Sequence, residues 1–210
     1  MKTVSLILLA GGRGTRVESS TPKTFIPLNG KPIILHSFDL FSSMEEIEEI
    51  VVVCPKAYRH LFPANTLFAS PGKERQDSVQ NGFLKTTGQT LLIHDGARPL
   101  VSQRDVLKLL EEGSSVGAAT LGAPTKNTTK QVTSTHHVEK TLNRTLLFDI
   151  YTPQLLRREV YKKGFEAAGK TFTDDVSLAE NIGHPVKIVL GSSNNLKITT
   201  PIDLKLAELL

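Results

Sequence analysis

Hydrophobic positions along this chain follow two patterns in turn. Val4 to Ala10 is a near-continuous apolar run, as in a strand covered on both faces. Ile50 to Cys54 and Thr90 to His94 repeat it, and Thr66 to Ser70 is a weaker version. Val116 to Leu121, Val186 to Leu190 and Leu196 to Thr199 complete the predicted strands. Helical spacing fills the intervals. Pro32 to Met44 carries Ile33, Ile34, Leu35, Phe38, Leu40 and Phe41, with the proline suited to a first turn. Glu74 to Leu84 is a second helix. Ser102 to Glu112 is a third, with Ser102 as N-cap and Asp105 near the capping-box position. Thr152-Pro153 and Thr200-Pro201 each read as an N-cap followed by proline at the first helical position, and Thr173-Asp174-Asp175 as another helix start.

Strands alternating with helices predict an α/β fold: a mostly parallel, twisted sheet with helices on both faces. Ligands in such sheets bind beyond the carboxyl ends of the strands. The two most unusual loops, Gly11 to Lys23 and His94 to Pro99, both follow strands. Residues 122–146 break the alternation, being rich in threonine and poor in large apolar side chains. Threonine favours strands, yet this segment cannot bury a face of its own, and an isolated hairpin is marginal in water. We therefore expect a projecting β-hairpin arm packed on a second copy of the chain. The whole of 1–210 reads as one domain carrying that arm.

Composition narrows the partners. The hydrophobic fraction is 39% and the charged fraction 22%, an ordinary globular balance. One cysteine, Cys54, excludes a disulfide framework and any Cys-built zinc site within one chain. No apolar run approaches the ~18 residues of a membrane helix. Val4 to Ala10 leads into Gly-Gly-Arg-Gly-Thr-Arg without a small-residue cleavage pattern, so it reads as a strand and not a signal segment. The net charge of +4 comes without a dense Lys/Arg block, which suits a small anionic ligand and not a nucleic acid. A cytoplasmic domain without a membrane partner is expected.

The loop after the first strand carries the first candidate chemistry. Its sequence Leu9-Ala10-Gly11-Gly12-Arg13-Gly14-Thr15-Arg16, then Pro22-Lys23, has neither the P-loop order nor the last glycine of the dinucleotide fingerprint, where Val17 stands. Glycines still let successive backbone N–H groups approach phosphate oxygens, and Arg16 and Lys23 add two cations. Such charges act most where negative charge grows in a transition state. Asp95, just after a buried strand, is placed either to hold Mg²⁺ beside a phosphate or to close an Asp-Gly turn on its own backbone. Arg98 is a phosphate contact or a structural ion-pair partner. His94 and the His136-His137 pair read as solvated residues, since neighbours in a hairpin face opposite ways.

These motifs, with Gly72-x-Glu-Arg-x-Asp-Ser-Val79, Thr152-Pro-Gln154, Thr173-Asp-Asp175 and Asn195-Leu-Lys-Ile-Thr199, resemble the 2-C-methyl-D-erythritol 4-phosphate cytidylyltransferase family over nearly the whole chain. The resemblance implies a Rossmann-like nucleotidyltransferase fold and a cytoplasmic homodimer joined through the arm. It also implies the joining of CTP to a sugar-alcohol phosphate with release of pyrophosphate, in the non-mevalonate route to isoprenoids. A related cytidylyltransferase acting on ribitol 5-phosphate is the alternative. By the same resemblance Arg16, Lys23, Arg144 and Lys197 serve catalysis, and Ala10, Gly11, Gly12, Gly72 and Ser78 surround the nucleotide. Arg98, Thr128, Arg144, Thr152 and Thr173 hold the acceptor, with Thr128 and Arg144 reaching the partner's site, and Asp95 binds Mg²⁺. Two positions depart from the family pattern: Lys73 stands where an acidic residue is common, and Thr24 where a glutamine is.

Overall fold

The structure is a computed structural model that describes residues 3–11, 21–168, 172 and 174–210. In chain order the strands are β1 (Val4–Leu9), β2 (Pro27–Leu28), β3 (Lys31–Pro32), β4 (Glu49–Val53), β5 (Leu67–Ala69), β6 (Thr90–Asp95), β7 (Ala118–Pro124), β8 (Lys130–Val132), β9 (Val138–Thr141), β10 (Phe148–Arg157) and β11 (Lys187–Leu190). The α-helices are α1 (Ile33–Ser42), α2 (Arg75–Phe83), α3 (Gln103–Val116), α4 (Arg158–Ala167), α5 (Ser177–Asn181) and α6 (Pro201–Glu208). Seven strands form one sheet in the order β11-β7-β10-β6-β1-β4-β5. All pair in parallel except β10, which runs antiparallel to both β6 and β7.

The first strand, apolar apart from Ser5, is buried on both faces because each is covered. Leu6 and Leu8 pack with Ile34, Phe38 and Phe41 of α1 and with Val106 and Leu109 of α3. Ile7 and Leu9 pack with Val79 and Phe83 of α2, Val160 and Tyr161 of α4, and Leu178 of α5. Alternation along one strand thus feeds two cores, each fully buried Leu or Ile contributing ~1.5–3 kcal/mol of transfer free energy.

Caps fix where helices begin. The Ser102 hydroxyl accepts the Asp105 N–H at 3.1 Å, as predicted for α3. Thr200 caps α6, with Pro201 following and Asp203 accepting the N–H groups of Thr199 and Thr200. Thr152-Pro153 behaves otherwise. It lies inside β10 and starts no helix. The register between β10 and β7 shifts between Ile150 and Gln154, and such an irregularity accommodates a residue that cannot donate to the ladder. Residues 196–199 form no strand; the Ile198 N–H bonds the Ala97 carbonyl at 2.8 Å. In the Thr173-Asp174-Asp175 segment, Asp174 accepts the N–H of Ser177, the first residue of α5. Thr173 lies outside the described residues.

The arm is present: β8 and β9 pair antiparallel, and every residue of both strands is exposed.

Candidate active site

A cleft of about 530 Å³ opens beyond the carboxyl ends of β1, β4 and β6. This is where an open parallel sheet leaves space between the loops that leave its strands. Gly11 forms one wall and Pro71-Gly72 the other. The two approach so closely that a Cβ on Gly11 would fall 2.6 Å from the Pro71 Cβ. Lys23, Lys73, Arg75 and Lys197 line the cleft, against Glu74 and Asp95. The lining is therefore cationic, as a polyphosphate site requires.

Asp95 is the hub. Its backbone is fixed by the last residue position of β6, and its N–H donates to the Thr152 hydroxyl at 3.0 Å. One carboxylate oxygen accepts Arg75 Nε at 3.1 Å, and the other accepts Lys197 Nζ at 2.6 Å. Burial alone would raise the Asp95 carboxyl, but Arg75 and Lys197 hold it well below the usual carboxylate range. It is ionised at neutral pH. Behind it stands His94, which is fully buried, contrary to the solvated reading. Its Nε2 faces the Arg98 carbonyl at 3.2 Å, an acceptor only, so Nε2 carries the proton. Nδ1 then accepts the Thr152 hydroxyl at 3.1 Å. Burial pushes His94 down to about 4, which keeps the ring neutral.

The chain matches the family described as 2-C-methyl-D-erythritol 4-phosphate cytidylyltransferase over residues 4–210. A chloroplastic enzyme of that name from Oryza sativa subsp. japonica is 46% identical over 219 residues, spanning 99% of this chain and 74% of its own length. The Chlamydia pneumoniae enzyme of that name is 40% identical, with 98% of each chain covered. The chain belongs to this cytidylyltransferase family. The solved 4-diphosphocytidyl-2C-methyl-D-erythritol synthase from Anaerococcus prevotii superposes with a TM-score of 0.88 at 26% identity, covering 99% of this chain and 97% of that one. The cytidylyltransferase from Thermus thermophilus gives 0.83 at 27% identity, covering 99% and 98%. The chain is thus a nucleotidyltransferase, and the expected sheet architecture is the one that the family shares.

Within this cytidylyltransferase the predicted residues fall into three groups. Gly11, Lys23, Gly72, Ser78, Asp95 and Lys197 all line the one cleft. Ala10 is buried beside it, its N–H on the Val53 carbonyl at 2.9 Å. Ser78 accepts the Gly72 N–H at 3.0 Å, and so ties α2 to the cleft wall. Arg98 and Thr152 lie behind that lining. Arg98 donates to the Asn195 carbonyl at 2.7 Å and stacks over Tyr151, 5.1 Å from the ring centre. Thr128 and Arg144 stand exposed on the arm, away from the cleft lining, with Arg144 3.4 Å from the Lys126 carbonyl. Gly12, Arg16 and Thr173 lie outside the described residues.

Sequence reasoning placed Arg75 and Asp175 in motifs but gave neither a role in the site. Arg75 donates to both oxygens of Asp175, at 2.9 and 2.7 Å, while its Nε holds Asp95. The partners are separated by 100 positions, so no local spacing signals the pair. Thr24 lines the cleft, and its buried hydroxyl has no hydrogen-bond partner among the described residues.

Proposed function

We propose that the chain joins CTP to 2-C-methyl-D-erythritol 4-phosphate, giving 4-diphosphocytidyl-2-C-methyl-D-erythritol and pyrophosphate. The observation that carries this is the convergence of Lys23, Lys197 and Asp95 on a cleft walled by Gly11 and Gly72. An oxygen of the acceptor phosphate attacks the α-phosphorus of CTP, the bond to the β-phosphate oxygen breaks, and the leaving pyrophosphate carries away the electron pair. No protein nucleophile is needed, so catalysis rests on positioning and on cations where charge builds up. Lys23 and Lys197, with Arg16 from the loop, supply those cations, and Gly11, Gly12, Gly72 and Ala10 let the backbone approach the nucleotide. Ser78 braces that wall, and Arg98, Thr152 and Thr173 support the acceptor side.

Mg²⁺ fits the donor set. Asp95 is ionised, and among the described residues each of its oxygens accepts one side-chain bond, leaving further lone pairs. Among the described residues no group of three or more His, Cys, Asp or Glu side chains gathers, which suits an ion held by one carboxylate, phosphate oxygens and water. When bound, the ion neutralises phosphate charge; Asp95 would hold it.

The names of the relatives favour methylerythritol phosphate over ribitol 5-phosphate as acceptor. The proposal further includes a homodimer through 122–146, with Thr128 and Arg144 completing the partner's site, in the cytoplasm. No described helix is long and apolar enough to cross a membrane. The test is pyrophosphate release from CTP and Mg²⁺ with each acceptor in turn. Release with methylerythritol phosphate alone is expected; release with neither overturns the proposal. Arg16→Ala should lower kcat on the order of 10²-fold with the fold intact; a wild-type rate would remove Arg16 from the mechanism.

A further inference from the structure

Asp95 is held by two cations that differ in how firmly they are fixed. The Lys197 side chain is 39% exposed and ends a flexible four-carbon stem. Arg75 is gripped from behind. Its two terminal nitrogens donate to Asp175, whose side chain has no solvent exposure. The Asp175 N–H donates in turn to Gln154 Oε1 at 2.8 Å. The Gln154 amide nitrogen donates to Thr120 at 3.2 Å and to Asp174 at 3.1 Å. A continuous run of bonds therefore leads from β7 and β10 in the sheet to the cleft wall. Burial disfavours the Arg75 charge, but Asp175 and Asp95 overcome this and raise Arg75 above its ordinary range.

A purely structural pair would be complete with the bidentate Arg75–Asp175 contact, which compensates the buried carboxylate. The third bond, from Nε to Asp95, does something else. A guanidinium is a rigid planar fork, so an Arg75 fixed at one edge by Asp175 presents Nε in one direction only. We propose that Arg75 is a positioning residue that holds one oxygen of Asp95 and stops the carboxylate from rotating. The other oxygen is thereby kept towards Lys197. Asp175 and Gln154 are its buttress. The inference rests on the proposed role of Asp95 in serving the cation bound with the nucleotide.

The test measures CTP binding by calorimetry across a Mg²⁺ titration, with thermal unfolding, kcat and KM in parallel. Removing Arg75 alone would strand the buried Asp175 charge and destabilise the chain strongly, confounding the readout. The informative variant is the double Arg75→Met, Asp175→Asn, which removes both charges. It avoids the stranded charge and should stay folded with a lowered melting temperature, yet need about tenfold more Mg²⁺ for half-maximal CTP binding, as when an outer-shell partner of a metal ligand is lost. Its kcat should fall more than its KM for the acceptor rises. A folded double variant with a wild-type midpoint overturns the inference, provided that Asp95→Asn does shift it. If Asp95→Asn leaves the midpoint unchanged, the role of Asp95 falls and the inference with it. Should the double variant fail to fold, Asp175→Asn decides. It keeps one acceptor for Arg75 and should shift the midpoint the same way by about threefold, a part of the full outer-shell effect; no shift overturns the inference.

Discussion

Gly72→Ala probes whether the cleft wall must stand where it does. A Cβ on Gly72 would meet Asp77 Cβ at 2.1 Å, its carbonyl carbon at 2.9 Å and its Cα at 3.0 Å. Ordinary contact begins at 3.4 Å, so the segment must retreat by 1.3 Å, the difference between 3.4 and 2.1 Å. The obstacle is the backbone of the first turn of α2, which cannot swing aside as a side-chain tip would. The loop must therefore give, stretching the 3.0 Å bond from the Gly72 N–H to Ser78. Overpacking of this kind costs roughly 1–3 kcal/mol of stability. Misplacement by about 1 Å lowers catalysis by up to ~10²-fold, and the displaced wall lines the cleft proposed to take the nucleotide. We expect kcat/KM for CTP to fall ten- to a hundredfold, on the order of that misplacement penalty. Steady-state pyrophosphate release and denaturant unfolding read the two effects separately. Gly191→Ala is the control, because its nearest neighbour would lie at 3.4 Å. Wild-type kcat/KM in Gly72→Ala, or equal losses in both variants, would refute the reasoning.

Three further outcomes follow from the geometry. His94 is pushed by burial from 6.5 to about 4, so as pH falls the unfolded chain takes up the proton first. The stability present above pH ~6.5 is lost towards pH ~4, amounting to about 2 kcal/mol between pH 7 and pH 5. Denaturant midpoints against pH should show a flatter curve for His94→Gln than for the wild type; matching curves would contradict the buried neutral ring. Burial raises the Cys54 thiol to about 11. A thiol reagent at pH 8 should therefore label the protein only after unfolding, and fast labelling of the folded chain would show that the site opens. Arg144→Ala should raise KM for the acceptor more than for CTP, and mixed dimers with an Arg16 variant should regain activity by complementation. An Arg144→Ala enzyme with unchanged KM for the acceptor would sever the arm from the site.

Much of the sheet was legible because its central strands are buried on both faces and read as near-continuous apolar runs, as in Val4–Leu9. The cleft was legible for a similar reason. Gly11 follows β1 and Asp95 closes β6, so local sequence already places both at the carboxyl ends of strands. Thr152-Pro153 was misread because threonine before proline suits a helix start as well as a strand irregularity, and only the pairing of β10 with β6 and β7 decides. His94 looked solvated because nothing in the sequence reveals Phe41 packed edge-on against its ring at 5.1 Å, or the Thr152 hydroxyl. Arg75 and Asp175 meet only after folding, so their pairing leaves no trace in spacing.

The arm leaves the sheet from the end of β7 and returns into β10, and these strands are already paired where it departs. Pro124 faces Phe148, and the Thr125 N–H bonds the Leu147 carbonyl at 3.0 Å. The excursion is thus closed at its neck. Excising 126–146 and bridging the gap with a short turn would leave β7 and β10 paired, so what the arm contributes can be removed without moving the cleft.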